Sequence, residues 1–130
     1  MRGHNGFTLL EVLIAMVILA IGLLGLLSMM ITAMDANAYS EDYITAHHLI
    51  IGQAELLKRR GYSRLIDGTY HDTYTAPKTG LSFRKKWVIT QDSVFPYLLR
   101  NITVSVTWRR ATRDAVQHKI ETTFSVGRGT

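Results

Sequence analysis

From Val12 to Met34 the chain carries no charged residue and no proline. At about 1.5 Å per residue, a helix over this run spans roughly 35 Å, slightly more than the hydrocarbon core of a bilayer, so the pattern predicts a membrane-crossing helix. Beyond Met34 the pattern changes. Ala36, Tyr39, Tyr43, Ala46, Ile50, Ala54 and Leu57 recur at three- and four-residue spacing, the stripe of an amphipathic helix. Lys58-Arg59-Arg60 followed by Gly61 predicts its end, with cations at the negative pole and glycine at the cap. Tyr62–Gly80, rich in Gly, Thr, Tyr and Asp, reads as loop with one short strand near Thr69–Thr75. Three strands follow. Leu81–Thr90 sets Leu81, Phe83, Trp87 and Ile89 on one face with Lys85 as the exception, Ile102–Trp108 alternates cleanly, and Lys119–Val126 is the third. Gln91–Leu99 reads as a longer turn and Arg109–Gln117 as a hairpin loop. An antiparallel meander with one apolar face can cover the helical stripe. The predicted class is therefore α+β: a long N-terminal helix, membrane-spanning in its first half and amphipathic in its second, packed on a small antiparallel sheet head. Trp87, Trp108 and Phe124 are expected in its core.

Two details at the start of the apolar run change the picture. Glu11 is an ionisable residue at the edge of a membrane span, which marks a functional position needing a partner. The helix dipole favours an anion there. The order of parts also differs from a secretory signal, whose apolar core is shorter and is followed by its cleavage site. Here the small residue, Gly6, precedes the run.

Gly6-Phe7-Thr8-Leu9-Leu10-Glu11-Val12-Leu13-Ile14-Ala15 resembles the N-terminal signature of type IV prepilins and pseudopilins. The resemblance is strong over residues 1 to about 34. It implies a leader, residues 1–6, removed at Gly6–Phe7 by a prepilin peptidase that also methylates the new N-terminal Phe7. It implies a transmembrane and assembly helix over residues 7–34, and a pilin-like head over residues 35–130 that includes the C-terminal half of the helix. Glu11 matches the family's glutamate at the fifth mature position, which helps dock an incoming subunit by pairing with a neighbour's amine. Cleavage would also place the chain's own amine four residues before Glu11, the neighbour spacing on a helix. Either pairing removes the penalty of a lone charge in lipid. The resemblance further implies the bacterial inner membrane, with a single pass and the head outside the cytoplasm, then a pilus or pseudopilus. The partners it implies are major and minor pilins along the helix and the inner-membrane assembly platform. Leu19–Leu26 and the Ile102–Trp108 strand with its charged hairpin are similar to PilV-type, or pilus-modification, minor pilins. Major pilins carry a proline where this chain has Ser28, so a straighter stem and an accessory role are expected.

Composition adds two constraints. Roughly 70 residues follow the helix, near the lower limit for a self-sufficient core, and the chain has no cysteine to staple it. The head is expected to lean on the helix or on neighbouring subunits. Charge is also divided. Up to Leu57 the only basic residue is Arg2, against Glu11, Asp35, Glu41, Asp42 and Glu55; the other fourteen Lys and Arg all lie from Lys58 onward. The stem is acidic and the head basic, which fits complementary contacts between subunits and leaves nucleic acid as a weaker possibility.

No enzyme chemistry is legible, and no cofactor or metal is expected. His47 and His48 are adjacent and diverge on a helix, while His71 and His118 are isolated in sequence. Asp67 and Asp72 lack the ligand density of a calcium loop. Asn101-Ile102-Thr103 fits a glycosylation sequon but lies at a strand start. The expected function is that of a minor type IV pilin, an accessory subunit that helps initiate or modify pilus assembly. Two other readings remain: a type II secretion pseudopilin, and an uncleaved single-pass anchored binding module.

Overall fold

The computed structural model describes residues 8–110 and 116–129, and in it one helix, α1, runs from Leu9 to Arg60. The described residues divide between Glu41 and Asp42 into two units. In the first, every large apolar side chain from Leu9 to Met34 is exposed. Side chains that apolar are stable only with lipid or other helices around them. Ser28 does not break the helix. Its hydroxyl donates to the Gly25 carbonyl at 2.8 Å and its own carbonyl accepts from the Thr32 hydroxyl at 3.0 Å.

In the second unit α1 ends as its sequence predicts. Gly61 has φ +71°, a left-handed conformation that side chains disfavour, and its N–H reaches the Lys58 carbonyl at 3.2 Å. A single 3-10 turn, Tyr62–Arg64, leads into four strands: β1 (Gly68–Thr75), β2 (Ser82–Gln91), β3 (Leu99–Arg109) and β4 (Gln117–Gly127). They form one antiparallel sheet in the order β1-β2-β3-β4. Residues 111–115, in the expected hairpin between β3 and β4, lie outside the described residues; Arg109 and Gln117 pair at its base.

Alternation decides which face of the sheet meets the helix. Phe83 and Ile89 of β2 and Ile102, Val104, Val106 and Trp108 of β3 are buried with Ala46, Ile50 and Leu57 of α1 and with Leu65. Burying a side chain of this size contributes about 1.5–3 kcal/mol, so this cluster is the main source of cohesion in the head. Trp108 is buried between Phe83, directly opposite on β2, and His118 on β4, with Tyr43 edge-on to its ring. Trp87 and Phe124 are half-buried at the margins; Tyr70 stacks on Trp87, and the Lys58 ammonium lies 5.0 Å over the Phe124 ring.

One expectation needs correction and two are refined. The strand expected near Thr69–Thr75 is present as β1, which pairs with β2 along all eight of its residues. As a largely exposed edge strand it lacks the alternation that marks a half-buried one. Lys85 is the polar exception on the apolar face, and Asp72, directly opposite on β1, pairs with it, which holds the Asp72 carboxyl below its usual range. The helical stripe is also shifted. Tyr39 and Tyr43 are exposed, and the residue that turns inward with Ala46, Ile50 and Leu57 is Asp42, only 3% exposed.

The β2–β3 turn is ordered by Asp92. Its Oδ1 accepts from the N–H groups of Val94 and Phe95 at 2.8 and 2.9 Å, and its Oδ2 accepts from the Asn101 side chain at 2.9 Å. The Phe95 N–H, the Asn101 amide and the Val94 N–H together hold its carboxyl below the ordinary value. A lowered folded-state pKa means that the stabilisation is complete above the unfolded value of about 3.9 and is lost as pH falls through the folded value. Hydrogen-exchange protection of the Val94 and Phe95 amides is therefore expected to hold at neutral pH and to fall on acidification below about pH 4. Protection that does not change through that range would contradict this role.

Candidate processing and assembly site

The start of α1 is built by Thr8. Its hydroxyl accepts from the Glu11 N–H at 3.3 Å, and its carbonyl accepts from the Glu11 and Val12 N–H groups at 3.0 and 3.2 Å. Thr8-Leu9-Leu10-Glu11 is the spacing of a capping box, in which a threonine satisfies an otherwise unpaired N–H of the first helical turn. That signal stands in the sequence beside the glutamate itself. The cap fixes Glu11 in the first turn, exposed, at the positive end of the helix dipole. Below it, Glu11, Val12, Ala15, Met16 and Leu19 line a shallow groove on the helix surface. Gly6 and Phe7 lie outside the described residues.

Residues 1–27 match the family model of the prokaryotic N-terminal methylation motif. The motif indicates a precursor of the type IV pilin and pseudopilin class, and with it processing by a prepilin peptidase. No curated protein and no solved structure matches the chain. The architecture is nonetheless pilin-like, with one long N-terminal helix packed on a four-stranded antiparallel sheet. The helix is long and apolar enough to cross a membrane, which fits membrane anchoring.

In the head, several ionisable groups are engaged in structure. Asp67 pairs with Arg100 and Asp72 with Lys85. Asn101 of the sequon donates to Asp92 and accepts from the Ser125 hydroxyl at 2.6 Å. Arg110, the residue after β3, grips the buried Asp42: its Nε lies 3.0 Å from Oδ2, and a terminal nitrogen donates to Oδ1 at 3.3 Å. Both approaches are ion-pair contacts, which fasten the start of the helix's head-packed stretch to the sheet. Nothing in the sequence marks the pair, because its members are 68 positions apart and each reads as a surface charge.

Proposed function

We propose that this chain is a minor type IV pilin, an accessory subunit of the pilus-modification (PilV-type) kind that helps initiate or modify filament assembly. The prepilin peptidase cuts between Gly6 and Phe7 and methylates Phe7. Residues 7–34 then hold the protein in the bacterial inner membrane, with the head outside the cytoplasm. During assembly the same stem leaves the lipid and buries its apolar surface against neighbouring stems of other pilins, at roughly 25 cal/mol per Å². Glu11 sets the register by pairing with the amine of an adjacent subunit, which removes the cost of a bare carboxylate in an apolar surround. The inner-membrane platform drives the transfer.

The observation that carries this reading is the coincidence of the methylation motif with the start of the helix. The motif spans residues 1–27, and within it Thr8 caps the helix so that Glu11 sits exposed in the first turn of an apolar stem. No cofactor is required, and the role is structural rather than enzymatic. The intact mass of the protein from its native membrane tests the reading: a chain beginning at a methylated Phe7 is expected.

A further inference from the structure

The two faces of the sheet differ in kind. The face that meets α1 holds the apolar cluster. On the other, alternation and register place Thr73, Thr75, Ser82, Thr103, Thr107 and Thr123, with Arg84, Lys86, Arg109 and Lys119 set among these hydroxyls. Among the described residues its only apolar side chains are Val88 and Leu99, and it carries no Phe, Tyr or Trp. Its one carboxylate among those residues, Glu121, is paired with Lys119. Arg84, Lys86 and Arg109 are exposed and have no carboxylate partner among the described residues. Beside the β1–β2 hairpin the face dips: Thr73, Ser82, Arg84, Thr107, Arg109 and Gln117 line an open depression of about 820 Å³.

A protein partner needs apolar area at the centre of its contact, and this face has almost none. A polyanion needs cations free of competing acids, with hydroxyls beside them to donate to its oxygens. By strand spacing, Arg109 to Lys86 spans roughly 14 Å, a length over which duplex DNA carries about eight phosphates. Single strands are held by stacking their bases on aromatic rings, which this face lacks. We propose that the outer face of the sheet binds the phosphodiester backbone of double-stranded DNA. Arg84, Lys86 and Arg109 each neutralise a phosphate, and the Thr73 and Ser82 hydroxyls donate to phosphate oxygens. Contacts of this kind carry no sequence information, so binding is indifferent to sequence and is driven by release of counterions. The inference goes beyond the assembly reading, and its test needs neither cleavage nor filaments.

The test is the fluorescence anisotropy of a labelled mixed-sequence duplex, titrated with the full chain in neutral detergent over a series of salt concentrations. Three phosphate contacts give a slope of about −2.7 in log affinity against log salt, and so a roughly 40-fold weakening between about 50 and 200 mM. Duplexes of different sequence should bind alike. Arg84→Gln, Lys86→Gln and Arg109→Gln together are expected to remove most of the slope and to weaken binding by about tenfold or more at low salt. Arg84→Gln alone, a change at one exposed side chain, should lower the slope by about 0.9. The control is Arg59→Gln with Arg60→Gln and Arg64→Gln, which deletes the same charge at the end of α1 and in the turn after it, and it should leave slope and affinity nearly unchanged. No binding of the duplex by the wild-type chain, or equal losses from the two triple variants, would overturn the proposal. So would tighter binding of a single-stranded oligonucleotide of the same length, or binding of polygalacturonate in place of the duplex.

Discussion

Glu11→Ala is expected to yield a chain that enters the membrane and is cleaved and methylated like the wild type, yet is nearly absent from sheared filaments. Insertion depends on the apolar run from Val12 to Met34, which the substitution only extends. On the proposed reading, cleavage depends on Gly6–Phe7, which it leaves alone, and what it removes is the anionic partner of a neighbour's amine. A charge-assisted hydrogen bond is worth about 1.5–3 kcal/mol, and at 1.4 kcal/mol per tenfold this corresponds to a loss of incorporation of roughly 10- to 150-fold. Thr8→Ala is the control. It deletes the helix cap, at a cost of about 1 kcal/mol, while keeping the carboxylate, so filament content should remain close to normal. Normal incorporation of Glu11→Ala would refute the pairing role, and an equal loss from Thr8→Ala would mean that helix capping, not the carboxylate's charge, is what assembly needs.

The second large effect is expected in the head. Arg110→Ala strips the guanidinium from a carboxylate that is only 3% exposed. Removing one side of a buried ion pair is destabilising, by up to about 3–5 kcal/mol. In a head this small that is a large share of its stability. The paired replacement Asp42→Leu with Arg110→Met should recover most of the loss, since an apolar pair of similar volume often does as well as the ions it replaces. Pulse proteolysis of the detergent-solubilised full chain across a urea series gives the comparison. A midpoint for Arg110→Ala equal to that of the wild type would show that the pair does not hold the helix to the sheet.

The two predictions draw on parts of the molecule that differ in how openly the sequence displays them. The stem, the Gly6–Glu11 signature, the helix end at Gly61 and the strands β2, β3 and β4 are local patterns: an uninterrupted apolar run, a cation-glycine stop, a period of two. Each is decided by neighbours in sequence, so each is legible there. Asp42 is not, because its burial depends on Arg110 arriving from the far end of β3, and an aspartate between Glu41 and Tyr43 reads as solvent-facing. The β1 strand shows its position near Thr69–Thr75 but only a weak pattern, for a related reason. As an edge it is held by backbone pairing to β2 and needs no apolar alternation of its own. Lys85 breaks the pattern of β2 only until Asp72 is placed opposite it. The Val94–Leu98 cluster could be read as apolar, but that it faces outward follows only from the turn built by Asp92.

The claim beneath all of this is that the chain is a processed subunit, and the most direct measurement is the intact mass of the protein purified from its native membrane, in parallel with cells lacking prepilin peptidase activity. The expected result is a chain that starts at Phe7 and carries one additional methyl group in the first case, and a full-length, unmethylated chain in the second. A full-length chain from Met1 in cells whose peptidase is active would contradict the account and leave a membrane-anchored module in its place.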